Sequence, residues 1–222
     1  ASTADMSSCR GAVAEFASSV ADSQEIQGYQ FFKIFDDQLL EYVMVAAGAG
    51  EDSYVIGKLA AFQIQNLVIA YKERLDKDNF VKNLLLDNLL LVDIYSRSKK
   101  LHIQTDVPRA VLIVETAGGR DSNVLELARA HFGGNGKDFV TEVDENNVII
   151  VKELVEADRA KEMDKTARQI WSFLKKEGIQ DSRIAYGTVV QEIKEGSRSY
   201  KEARMALDVG KIFFDEREII AY

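Results

Sequence analysis

A single proline, Pro108, divides this chain, and beyond it the spacing of apolar residues changes period in an order that few folds accommodate. Proline restricts the residue before it to extended backbone, so a helix must end before Val107, and the polar run Gln104-Thr-Asp-Val-Pro reads as a domain boundary. Arg109-Ala-Val-Leu-Ile-Val-Glu is apolar without alternation, as in a strand covered on both faces. Asp121 or Ser122 is placed to cap a helix with Val124, Leu127, Ala128 and His131 on one face, and Gly133-Gly-Asn-Gly ends it. Strands at 138–143 and 147–151 meet at the turn residues Asp144-Glu-Asn-Asn. The spacing then predicts a helix from about Glu156 to Lys176 with Met163, Ala167, Ile170 and Leu174 on one stripe and Gly178 past its end. A strand from Arg183 to Val190, a helix from Ser197 to Phe213 and a strand from Glu218 to Tyr222 complete the order. The first six elements, βαββαβ, are the ferredoxin-like arrangement, an antiparallel sheet with helices on one face, here extended by one more αβ.

Ahead of the proline, Cys9, Val13, Phe16 and Val20 mark an amphipathic helix. Tyr29–Phe35 and Glu41–Ala47 read as strands joined at Asp36-Asp-Gln. Ser53–Leu75 reads as a helix burying Ile64, Leu67, Val68, Tyr71 and Leu75. In layout this helix, hairpin and long helix are similar to the later part of a PAS- or GAF-like sensor. Phe80 to Ile94 is leucine-rich and broken only at Asp87-Asn88, so it must be buried in a core or a subunit interface. The expected class is α+β: a sensor remnant over 1–75, connecting helices over 76–106, and the ferredoxin-like domain over 107–222.

Charge and composition exclude several functions. The net charge is −8, with 36 acidic residues against 28 basic ones, whereas duplex binding needs clustered Lys and Arg. Arg97, Lys99 and Lys100 form the densest basic group and read as a solvated helix end. No run of eighteen apolar residues and no signal-peptide pattern occur, and the lone Cys9 fits a reducing compartment, so a cytoplasmic protein is expected. The chain opens on Ala-Ser-Thr-Ala-Asp without an initiator Met, which suggests a piece of a longer protein.

The chemistry-bearing residues do not assemble into a site by spacing. Gly133-Gly-Asn-Gly-Lys-Asp lacks the first glycine and the hydroxyl of a phosphate loop and lies between a helix and a strand, the reverse of the required order. His102 and His131 have no partner at metal-ligand spacing, and the pairs Asp36-Asp37 and Asp144-Glu145 fall in turns. No catalytic constellation, metal site or cofactor is expected.

Arg183-Ile-Ala-Tyr-Gly-Thr, Ser199-Tyr-x-x-Ala-x-x-Ala-Leu at 199–207, Phe80-Val-Lys-Asn-Leu-Leu, Arg97-Ser-Lys-Lys-Leu-His-Ile and Arg109-Ala-Val-Leu-Ile-Val together resemble the PucR/CdaR family of bacterial transcriptional regulators over roughly 80–222. The resemblance implies a GGDEF-like domain, similar in fold to diguanylate cyclases. A cyclase carries Gly-Gly-Asp/Glu-Glu-Phe on the hairpin between its second and third strands, where this chain has Asp144-Glu-Asn-Asn. Gly118-Gly119-Arg-Asp is displaced to the end of the first strand, and Glu115-Thr-Ala stands where a cyclase would supply a metal-binding Asp, so no enzyme is expected. The resemblance further implies a homodimer responding to a small-molecule effector of unknown class, with DNA read only by a C-terminal helix-turn-helix domain that this sequence lacks. Phe32 and Tyr42 are the candidates to line an effector pocket. A nucleotide cyclase-like enzyme and a ligand-free dimerisation scaffold are the alternatives.

Overall fold

The computed structural model describes residues 9–36, 38–48, 50–116, 123–144, 146–213 and 218–222. Asp37, Gly118, Gly119, Asp121, Ser122 and Glu145, singled out above, lie outside them. The chain separates into two compact units, Ala1–Arg74 and Leu75–Tyr222.

In the first unit a helix α1 (Arg10–Ser18) precedes strands β1 (Ser23–Ile26), β2 (Tyr29–Asp36) and β3 (Leu39–Ala47), which pair antiparallel in that order. The sequence reading contained β2 and β3 but not β1, which is short and mostly polar. It is joined to β2 by Gln27-Gly28, both at positive φ as a tight hairpin turn requires. Side chains alternate across β2 as a strand demands. Phe31 meets Phe16 of α1 with ring centroids 5.6 Å apart and packs with Cys9, Val43 and Val45. Val20, expected on the buried face of α1, is fully exposed because the helix has ended before it.

On the other face Phe32 turns toward α2 (Glu51–Leu85), where a Cβ on Gly57 would come within 2.4 Å of its ring, so only glycine allows the approach. The side of α2 turned to the sheet is Tyr54, Gly57, Ala61, Gln65, Val68 and Lys72, and Lys72 Nζ donates to Asp36 at 2.9 Å and Glu41 at 2.5 Å. This corrects the expected stripe: Leu67, Tyr71 and Leu75 are exposed, and Ile64 more than a third so. Periodicity counts large side chains, whereas this contact is made by small ones that let the helix lie close.

The second unit holds a five-stranded sheet in the order β5-β6-β4-β7-β8, comprising β4 (Arg109–Thr116), β5 (Phe139–Asp144), β6 (Asn147–Glu153), β7 (Ser182–Tyr186) and β8 (Ile219–Ala221). Neighbours are antiparallel except β7 and β8. Helices α4 (Val124–Phe132) and α5 (Arg159–Lys176) follow β4 and β6, so the βαββαβ order and ferredoxin-like sheet stand. Asp158 caps α5 by accepting from Lys161 N at 3.1 Å, while Glu162 accepts from Val155 N and Glu156 N.

Both faces of this sheet are covered, not one. Ala110, Leu112, Val114 and Ile184 pack with Val124 and Ala128 of α4 and with Met163, Ala167, Ile170 and Leu174 of α5. Val111, Ile113, Ile149 and Ala185 point the other way. They are covered by Ala203 and Leu207 of α6 (Gly196–Phe213), by Phe80, Val81, Leu84 and Leu85 at the end of α2, and by Ile94 of α3 (Leu91–Lys100). Phe80–Ile103 therefore forms a layer of the second unit. The Gln104–Pro108 run is a turn within that unit, where Gln104 O accepts from Arg109 Nη1 and Thr105 O accepts from Ile193 N. Among the leucine-rich residues, Leu86, Leu90, Leu91 and Val92 remain exposed, since they occupy the turn after α2, the bend before α3 and its first turn.

Candidate functional site

Two of the segments that carry the resemblance, Arg183–Thr188 and Ser199–Leu207, are joined by hydrogen bonds. Beyond Tyr186, β7 leaves β4: Gly187 N still donates to Val111 O, but Val111 N donates to the hydroxyl of Ser199 on α6 at 3.0 Å. The Ser199 Oγ in turn donates to Thr188 O at 2.8 Å. Glu202, one turn later, accepts from Thr188 N at 2.8 Å and from its hydroxyl. A Cβ on Gly187 would lie 2.0 Å from the backbone oxygen of Ser199, so a side chain there would force strand and helix apart. The chain rejoins β4 at Val190, paired with Arg109. The Tyr186-Gly-Thr and Ser199-Tyr patterns are thus two halves of one joint between sheet and helix.

The corner where a cyclase keeps its nucleotide chemistry is occupied by internal pairs. In the β5–β6 hairpin, Asp144 Oδ1 accepts from Asn146 N at 3.1 Å and Asn147 Nδ2 at 2.7 Å, an Asx turn that consumes one carboxylate oxygen. The other oxygen lies 3.6 Å from Arg204 of α6. Glu115, near the end of β4, accepts from Lys211 of α6 at 2.5 Å. Both carboxylates are held by cations from the same helix.

A shallow groove of about 860 Å³ runs beside α5. His131 stacks on Phe173 at 4.3 Å between centroids, and Phe132 closes on both rings edge-on. Lys161, Lys165, Arg168 and Lys176 line it against Asp164 and Glu156. Arg168 is forked onto Asp164 at 2.8 and 3.3 Å, which raises its pKa, and Lys165 reaches Glu156 at 3.3 Å. The rings and cations suit a flat, anionic molecule better than an apolar one.

The residues singled out earlier divide cleanly. Phe32 is buried in the first unit with its ring 5.8 Å from Tyr54, whereas Tyr42, one pair further along the same face, is more than half exposed. Neither lines the α5 groove. His102 sits exposed at the end of α3 with left-handed backbone, and Arg97, Lys99 and Lys100 form the last turn of that helix, where cations suit its dipole. Gly133–Asn135 closes α4 as a short 3₁₀ turn with Gly136 left-handed behind it. Asp138 is buried in the sheet, accepting from Glu153 N at 2.9 Å and Lys152 Nζ at 2.8 Å. Next to it Arg109, almost fully buried, faces Glu153 at 3.5 Å. Desolvation lowers its pKa, and the neighbouring carboxylates oppose that. Sequence reasoning missed Arg204 and Lys211 because their partners are distant in the chain. Ser199 was visible only as a motif letter.

No curated protein matches this chain. Residues 88–209, more than half of its length, match the model of the GGDEF-like domain, a span that runs from the α2–α3 bend through nearly all of α6. With that match and a ferredoxin-like sheet carrying the extra αβ, the chain belongs to the GGDEF-like domain family.

Proposed function

We propose that this chain is the ligand-sensing and dimerising part of a PucR/CdaR-type bacterial transcriptional regulator, and that its GGDEF-like domain transmits rather than catalyses. The observation that carries this reading is the pairing of Asp144 and Glu115 with Arg204 and Lys211. Among the described residues, two carboxylates at the expected nucleotide corner are tied to α6. A net charge of −8 agrees with a chain that leaves DNA contact to a separate helix-turn-helix domain. A small-molecule effector of the first unit, with its PAS/GAF-like layout, would act by favouring one arrangement of a homodimer.

The test is a thermal-shift screen with sugar acids, purine catabolites, amino acids and nucleotides, because a ligand that binds only the folded state raises its melting temperature. The comparison piece begins at Leu75, because Phe80–Ile103 covers one face of the sheet. A rise with one metabolite class in the whole chain, lost in Leu75–Tyr222, is the expected result. A rise retained by the shorter piece would move the ligand to the α5 groove, and a rise confined to GTP with magnesium would replace this reading with the cyclase.

A further inference from the structure

Residues 53–71 of α2 contain one charged side chain, Lys58, yet most of their surface is open to solvent. The sheet takes Tyr54, Gly57, Ala61, Gln65, Val68 and Lys72, which leaves a second stripe centred about 120° further round a helix of 3.6 residues per turn. That stripe is Val55, Leu59, Phe62, Asn66 and Ile69, spaced four, three, four and three. This is the heptad seam of a coiled coil, with Val55, Phe62 and Ile69 at d, Leu59 at a, and the polar Asn66 at the second a. Ile56, at the flanking e position, widens it, and these five apolar residues are between 41 % and 69 % exposed.

We infer that this stripe is the interface between two copies of the chain, paired in parallel about a two-fold axis. Covering the five apolar side chains would bury about 500 Å² per chain, or about 1,000 Å² in the pair, the threshold that a specific interface should clear. An exposed helix face with one charge in nineteen residues is otherwise an aggregation liability. Asn66 sets the direction: in parallel register it meets its own copy and the two amides can pair, the usual means by which a single polar a position selects two strands and one register. Reversing one helix about Phe62 would set Asn66 against Lys58.

This inference deepens the homodimer part of the function proposed above and rests on it, but it is read on ligand-free protein. Silence in the metabolite screen leaves it intact. Sedimentation equilibrium of the whole chain should give about twice the 24.8 kDa chain mass. Phe62→Glu and Leu59→Glu should each sediment as monomers with far-UV circular dichroism unchanged, since both side chains face solvent in the single chain. Leu90→Glu, an exposed leucine of the second unit, should stay dimeric. Ile69→Cys should form a disulfide-linked dimer under mild oxidation, whereas the parent chain, whose Cys9 is buried, should not. A monomeric parent, or a dimer surviving both α2 substitutions or lost on Leu90→Glu, overturns the seam. An intact dimer that Ile69→Cys cannot link overturns its parallel direction.

Discussion

Ser199→Ala isolates the joint between sheet and helix. The hydroxyl accepts from Val111 N at 3.0 Å and donates to Thr188 O at 2.8 Å, and the residue is fully buried. An orphaned buried amide costs about 1–3 kcal/mol, whereas a partly buried carbonyl can find water at smaller loss. The substitution removes one small polar atom and opens little volume, so the expected destabilisation is about 2 kcal/mol, carried mainly by Val111. For a unit of this size that lowers the melting temperature by about 4–8 °C. Trp171, the single tryptophan, lies on α5 in the second unit, so its fluorescence follows that unit's unfolding in urea. The midpoint should fall at unchanged slope. Ser197→Ala, whose hydroxyl makes only an exposed 3.4 Å contact with Asp87, should be nearly silent. If Ser199→Ala lies within about 0.5 kcal/mol of the parent, the range of ordinary surface changes, the reasoning about an orphaned donor is wrong.

Two glycines separate backbone from side-chain crowding. Gly187→Ala drives a Cβ against the Ser199 carbonyl, which cannot swing away, and should cost about 3 kcal/mol or more. Gly210→Ala meets only a side chain, Ile220, with Cδ1 at 2.0 Å and Cγ1 at 3.1 Å, which can turn away, and it gains about 1 kcal/mol of helix propensity, so it should cost less than Gly187→Ala. Equal losses in parallel melts would refute the distinction. Asp87 is tested by pH. The Lys201 ammonium, and less so Ser197, holds its carboxyl below the usual carboxylate value. A lowered folded pKa contributes stability that is present above the unfolded value of about 3.9 and is lost as pH falls through the folded one. Asp87→Asn, which tolerates the left-handed backbone at this position, should therefore be less stable than the parent at pH 6 and equal to it near pH 2. A difference that is constant from pH 6 to pH 2 would discard the ion pair as its source.

Strand and helix order in the second unit was readable because burial imposes its own period. β4, covered on both faces, reads as an unbroken apolar run, and α5 reads as the stripe Met163, Ala167, Ile170 and Leu174. The same rule misread α2. Its contact with the first sheet is made by Gly57 and Ala61, which a count of large apolar residues passes over, so the apparent core stripe was assigned to the wrong side. Pro108 announces a local break in backbone, but whether Phe80–Ile103 belongs to one unit or the other depends on which surface it covers.

By itself the sequence determined what neighbours in the chain can decide: element order in the second unit, the turn chemistry at Asp144, the acidic charge and the glycine that ends β7. Tertiary structure decided every pairing between distant residues. It set Ser199 under Val111, Arg204 beside Asp144 and Lys211 on Glu115, and left the outer stripe of α2 in solvent. Hydrogen bonds and ion pairs act over a few ångströms of space. A sequence records separation along the chain, and only folding converts one distance into the other.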